Sequence, residues 1–310
     1  MRAEVFVPWN CSNGCTFCPT RAAYGNMELS IGNTLEAIGK LKDTGLVDSW
    51  LITGGEPLSN LEGLRRIADA CGDGKLYIVT TLPAVADIDE VTEYINGNVR
   101  LRDITISRQI SEPLKNVAGV EVINRIRKPV RINVVADNST APVELENFTE
   151  FWLRESVAFN VSIRHKYQEI DDDNVHGRDN IDKWLDGKYE KVRESSCPIC
   201  SVAEYEVADG KTVRYMKRIH NRNDVHSNVI VSPDGRLCGS YFEEDSGLNS
   251  LVAGEEDMEP MVLVDRFGCY MQAESSFLFR SDRKNARVVR NSYEAAVLKR
   301  MCCDAELRSA

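Results

Sequence analysis

Asn10-Cys11-Ser12-Asn13-Gly14-Cys15-Thr16-Phe17-Cys18-Pro19 puts three cysteines in a C-x3-C-x2-C spacing within one short loop. Three thiolates from one loop suit an iron–sulfur cluster, and three protein ligands on four irons leave one iron open. That open iron turns an electron-transfer centre into a catalytic one. The competing assignments are a zinc knuckle or scattered core cysteines. Zinc sites usually pair C-x2-C with a second pair to close a tetrahedron, and no second pair lies nearby. The loop follows Ala3-Glu4-Val5-Phe6-Val7, an apolar run bounded by Pro8 that reads as a buried strand. Sites of α/β folds gather at the C-terminal ends of strands.

A second motif, Thr53-Gly54-Gly55-Glu56-Pro57, ends the apolar strand Trp50-Leu51-Ile52. Paired glycines let a ligand approach the backbone, and Glu56 can accept a hydrogen bond from a ligand ammonium. Alone, this stretch is as well explained by a plain turn. It stands about one βα unit after the cysteines, and the pair of motifs is far more specific than either.

With both motifs in view, the sequence resembles the radical S-adenosylmethionine (radical SAM) superfamily. The resemblance rests on Cys11, Cys15 and Cys18, on Phe17 just before the third cysteine, and on Gly54-Gly55-Glu56-Pro57. It implies a 4Fe–4S cluster on the three cysteines, with S-adenosylmethionine chelating the fourth iron. It implies reductive cleavage to methionine and a 5′-deoxyadenosyl radical that abstracts hydrogen from a substrate. Gly54 to Pro57 would then contact the methionyl amine, and Phe17 would lie near the adenine. An electron donor such as flavodoxin or ferredoxin is implied as a partner.

Composition agrees with an enzyme. The 310 residues can bury a large core, and 43% hydrophobic with 28% charged residues is ordinary for a globular chain. No apolar stretch approaches the roughly 18 residues of a membrane span. The N-terminal strand runs straight to the cysteines, unlike a signal peptide. Ten cysteines without such a signal point to metal use in a reducing, cytoplasmic setting.

Strand and helix signals alternate through the first half. Strands are expected at 3–7, 49–53, 76–80, 104–107, 130–135 and 159–164. Helices are expected around Leu35 to Leu41, Leu61 to Ala68, Val85 to Ile95, a short stretch at 113–126, and Val143 to Leu153. The fold class is therefore α/β, and the family resemblance implies a partial (β/α)6 barrel over residues 1–167. Strand ends become candidate cofactor positions: Thr80, Ser107, Asn133 and Arg164. Relatives often place a cofactor-binding serine where Ser107 stands. Arg108 follows where relatives often carry Asp, so substrate contacts are expected to differ there. For Asn133 and Arg164 a structural hydrogen bond is the competing role.

The second half reads differently. A polar linker is expected at 168–196, with Trp184, Leu185 and Tyr189 able to pack as a helix. Residues 197–310 form a small α+β extension that carries Cys197, Cys200, Cys238 and Cys269. Pro233-Asp234-Gly235 is strong turn chemistry, placing Cys238 on the return strand of a hairpin. This part resembles SPASM and twitch extensions, which hold an auxiliary iron–sulfur cluster. The full SPASM cysteine set is absent, so the resemblance is to a one-cluster twitch-like domain, with Cys269, a non-cysteine group or substrate as fourth ligand. A structural zinc site from the same cysteines is the competing assignment.

The net charge of −10 argues against general nucleic-acid binding. Two basic clusters run against it, Lys211 to Arg222 and Arg280 to Arg300. Solvated helix faces explain them. A polyanion-binding surface is the alternative, letting the radical act on a nucleic-acid base in DNA or RNA hypermodification, such as a phage-type modified thymidine. A non-catalytic iron–sulfur or zinc protein is the remaining class, and it leaves Gly54 to Pro57 without a purpose.

Overall fold

Strand–helix alternation is what the chain builds. The computed structural model describes residues 2–166 apart from 19, 22–24, 26, 44, 46, 86 and 138, then 176–196, 200–218 and 229–238, and three further strands at 262–264, 270–272 and 287–289. It divides into two compact units: Met1–Asn10 with Pro19–Leu76 and Arg222–Ala310, and Cys11–Cys18 with Tyr77–Asn221.

In the first unit, β1 (Arg2–Val7) and β2 (Ser49–Gly54) pair in parallel, with Val5 opposite Ile52 and Val7 opposite Gly54. Helix α1 (Ile31–Asp43) lies between them in sequence, and α2 (Leu61–Ala70) follows β2. Their buried residues, Ile38 and Leu41, Leu64 and Ile67, recur at helical spacing. Asn60 caps α2, its Oδ1 accepting from Gly63 N at 2.9 Å. Beside β1 runs β10 (Val229–Val231), also parallel, and it turns back into β11 (Leu237–Cys238). That hairpin is the one expected from Pro-Asp-Gly: Gly235 has φ +87°, and Asp234 accepts from Arg236 Nε at 2.8 Å. Cys238 is buried in a cluster with Phe6 and Ile230, against which Met27 packs. A separate sheet joins β12 (Val262–Val264) to β13 (Tyr270–Gln272) and β14 (Arg287–Val289), both antiparallel.

In the second unit the strand order is β3 (Lys75–Thr80), β4 (Leu101–Ser107), β5 (Val130–Ala136), β6 (Ala158–His165), β9 (Lys211–Arg218), β8 (Cys200–Ala208) and β7 (Glu190–Ser196). Strands β4, β5, β6 and β9 pair in parallel, while β8 and β7 are antiparallel. Between them in sequence come α3 (Ile88–Gly97), the single turn α4 (Val120–Ile123), α5 (Pro142–Glu155) and α6 (His176–Lys188). The α/β class and parallel βα succession are those expected.

Three departures have local causes. Helix α3 starts at Ile88 rather than Val85, because Asp87 caps it through Oδ1 to Glu90 N at 3.2 Å. The stretch at 113–126 yields only one helical turn. The expected linker at 168–196 holds α6, the helix that Trp184 and Leu185 suggested, and in addition the strand β7. Ile181 and Leu185 are fully buried on α6, and β7 takes β8 as its partner. Burial and pairing thus ordered a stretch whose composition is polar.

Candidate functional site

The cysteine loop begins where β1 ends, and its base is fixed by the second motif. Trp9, two residues before Cys11, donates its indole N–H to the Glu56 carbonyl at 2.8 Å. A Cβ on Gly55 would stand 1.8 Å from the Trp9 carbonyl oxygen and 3.0 Å from the Asn10 carbonyl carbon. A Cβ on Gly63 of α2 would meet the Trp9 ring at 2.8 Å. Gly54 has φ +106°, and a Cβ there would lie 2.8 Å from Val7 N. The glycine pair therefore admits backbone first of all: the strand end and the chain entering the cysteine loop press against it. Trp9 is a residue that sequence reasoning missed, since no local pattern marks it.

Glu56 itself is 2% exposed. Its Oε1 accepts from Leu58 N at 3.1 Å and caps the short 3-10 turn Pro57–Ser59. This holds a carboxylate at the end of β2, within the buried part of the motif.

The loop's cysteines are half-buried. Cys18 N donates to Cys15 O at 3.3 Å, and Asn13 N points at Cys11 Sγ at 3.4 Å. Phe17 sits half-buried in the same turn. Two anchors come from the segment after β4. Thr16 N donates to Glu112 Oε2 at 2.9 Å, and the Thr16 hydroxyl donates to Glu112 Oε1. Lys115 N donates to Asn13 Oδ1 at 2.8 Å. Hydrogen bonds from Thr16 hold the Glu112 carboxyl below its ordinary range, against a small burial cost; Lys166 adds to this and Asp137 opposes it. Glu112 thus keeps its charge until the pH falls below the usual carboxylate range.

The Cys15 thiol is pushed up to about 11, first by burial, then by the neighbouring Cys18, Cys11 and Glu112. The repulsion that Cys18, Cys11 and Glu112 place on a Cys15 thiolate is of the kind a multivalent cation reverses. Among the described residues, no group of three or more His, Cys, Asp or Glu side chains is arranged to hold a metal ion; the fit of the loop to a cluster rests on its residue types, three cysteines within eight residues.

Further polar residues line up across the second unit. Ser107, Asn133, Ser162 and Arg214 are neighbours in register on β4, β5, β6 and β9. In-register neighbours share one face of a sheet. The alternate positions, among them Ile106, Ile132, Val134, Val161, Ile163 and Val213, are buried and apolar. Asn133 is 8% exposed, and its Oδ1 is buried without a hydrogen bond among the described residues. Such an acceptor costs about 1–3 kcal/mol unless a ligand or water supplies a donor. Arg164 lies two residues beyond Ser162 on that face and is exposed. Ser162 and Arg214 were missed from sequence, although the alternation Asn160, Ser162, Arg164 carries the signal.

Other expected residues serve the frame. The Thr80 hydroxyl accepts from Leu82 N at 2.8 Å, holding the turn where Leu82 takes φ +48°. Arg108 is 6% exposed and turns away from the polar row, stacking over Trp152 of α5 at 5.5 Å. Its guanidinium donates to the carbonyls of Thr81 (2.6 Å), Ser107 (2.8 Å) and Ala118 (2.6 Å). Replacing Arg108 with Met would leave three carbonyls short of donors and is expected to destabilise the protein by on the order of 3 kcal/mol. A urea midpoint lowered at unchanged slope is the measurement. An unmoved midpoint would rule out the clamp.

Cys197 and Cys269 lie outside the described residues, as does the Cys200 side chain, although Cys200 opens β8. The second basic cluster also lies outside them. Of the first cluster, Lys217 pairs with Asp182, Lys211 donates to the Leu153 and Ser156 carbonyls, and Arg214 stands opposite Glu204 in register. No described helix is long and apolar enough to cross a membrane.

Against known proteins, the family model described as the radical SAM superfamily matches residues 9–135. No curated protein matches. Three solved structures of Streptococcus suis SuiB are similar. The one bound to precursor peptide SuiA is 17% identical with a TM-score of 0.43, covering 53% of this chain and 39% of that one. SuiB without a named ligand is 18% identical, with a TM-score of 0.43 and the same coverage. SuiB bound to S-adenosylmethionine is 19% identical with a TM-score of 0.42, covering 53% and 40%. The match therefore spans about two fifths of those chains' length. Residues 9–135, about two fifths of this chain, are thus similar to the radical SAM superfamily.

Proposed function

We propose that this protein is a radical SAM enzyme, cleaving S-adenosylmethionine reductively at a 4Fe–4S cluster held by Cys11, Cys15 and Cys18. The observation that carries the reading is the all-thiolate loop anchored at its base by Gly54-Gly55-Glu56 through Trp9. When bound, the cluster supplies one electron to the sulfonium, giving methionine and a 5′-deoxyadenosyl radical that takes a hydrogen atom from substrate. Glu56 offers a buried carboxylate for the methionyl ammonium, and Phe17 offers an aromatic surface for the adenine. Ser107 and Asn133 supply hydroxyl and amide groups, with the unmet Asn133 acceptor asking for a donor. Arg164 and Arg214 add cationic donors on the same face. Thr80 contributes by shaping the strand end. Flavodoxin or ferredoxin would deliver the electron.

Cys197, Cys200, Cys238 and Cys269 are proposed to hold an auxiliary cluster in a twitch-like extension. The spacing supports this, as does the hairpin that places Cys238 on its return strand.

The test is anaerobic reconstitution, reduction with dithionite and addition of S-adenosylmethionine. Methionine and 5′-deoxyadenosine are expected in equal amounts, slowly even without substrate. Iron-loaded, reduced protein that forms neither would refute the reading.

A further inference from the structure

We propose that Glu112 is a positioning residue for the cysteine loop, clamping the segment between Cys15 and Cys18 and setting the reduction potential of the cluster through its charge. This rests on the cluster reading above.

The loop has two spacers, and each is pinned once from the same short segment. Asn13, between Cys11 and Cys15, accepts from Lys115 N at 2.8 Å. Thr16, between Cys15 and Cys18, gives both its N–H and its hydroxyl to the two oxygens of Glu112. Thr16 is exposed and the cysteines are half-buried, so packing alone does little to fix this loop. Ordering each loop residue costs about 1–2 kcal/mol of conformational entropy. Two hydrogen bonds to an ionised group offset part of that cost before iron arrives. A loop so held presents its thiolates at a fixed spacing; released, it would lose iron more readily.

The second consequence is electrostatic. A carboxylate beside the thiolates favours the more positive, oxidised state of a cluster bound there. Charge and hydrogen bonding around the sulfurs are among the factors that set cluster potentials. Glu112 therefore makes the cluster a stronger reductant, which suits cleavage of a sulfonium.

Two variants separate geometry from charge. Glu112→Gln retains an acceptor for Thr16 N–H and offers an N–H to the Thr16 hydroxyl. Reconstituted E112Q is expected to match wild type in iron content and in resistance to a chelator, with a midpoint potential shifted positive. Glu112→Ala loses the clamp as well, and is expected to release iron to the chelator several-fold faster at an unchanged urea midpoint. Thr16→Val keeps the charge and one hydrogen bond, so its iron loss should fall between, at a near-native potential. The signal followed is the electron paramagnetic resonance that S-adenosylmethionine perturbs, which separates this cluster from any auxiliary one. Wild-type chelator resistance in E112A overturns the clamp, and a wild-type potential in E112Q overturns the charge effect. A wild-type chain that takes up no cluster overturns the underlying reading and the proposal with it.

Discussion

Replacing Cys11, Cys15 and Cys18 together with alanine is expected to reduce 5′-deoxyadenosine formation to the level without enzyme, while about four irons per chain remain on an auxiliary 4Fe–4S site. The two readouts probe different parts of the chain. The product assay asks whether the loop thiolates hold the reacting centre. The iron count asks whether Cys197, Cys200, Cys238 and Cys269 hold another. Deoxyadenosine from the triple variant would move the chemistry away from the loop. Loss of all iron with the fold intact would remove the auxiliary cluster and leave the loop reading standing. Circular dichroism supplies the fold control. The loop is half-exposed and held by Thr16 and Asn13 rather than by cysteine packing, so the triple change should spare the core. Single variants would blur the result, since two remaining thiolates can retain iron in a degraded cluster.

The βα succession was legible because each strand buries a short apolar run and each helix an apolar stripe. Ile104 to Ser107 and Val130 to Val135 were found within a few residues of their true ends for that reason. The two motifs were legible because both rest on special chemistry, thiolates at fixed spacing and glycines where a Cβ cannot stand. The contacts that assemble the site were not. Glu112 and Thr16 are 96 residues apart in sequence, and neither lies in a pattern that announces the other. Strand β7 was also hidden. Its Glu190-Lys191-Val192-Arg193 run is charged on both faces, and it is a strand because β8 offers it a ladder of donors and acceptors. The role of Arg108 depended on orientation. The residue after Ser107 points to the opposite face of the sheet, where it meets Trp152 and three carbonyls. Orientation at the end of a strand could not be taken from family position alone.

Gly55→Ala is expected to be the most damaging single-methyl addition within residues 9–135. Overpacking a core typically costs about 1–3 kcal/mol, because neighbouring side chains can yield. Here the obstructing atom is the Trp9 carbonyl oxygen at 1.8 Å, with the Asn10 and Trp9 carbonyl carbons at 3.0 Å. None is the end of a flexible side chain, so the backbone itself must move. Trp9 resists moving because its indole is hydrogen-bonded to Glu56 and its ring is packed on Gly63. Two outcomes are therefore expected together: a loss of about 3 kcal/mol or more in urea unfolding, and faster iron loss from the reconstituted protein, since Asn10 leads directly into Cys11. Trp9→Phe separates them. It removes the indole hydrogen bond, worth about 1 kcal/mol, and the far ring edge that meets Gly63, but leaves the glycine pair and the backbone at Trp9 and Asn10 intact, so stability should fall while iron retention stays near native. If Gly55→Ala unfolds at the wild-type midpoint, the close approach of the two motifs is wrong. If it is destabilised yet holds iron as firmly as wild type, Trp9 supports the fold without fixing the cysteine loop.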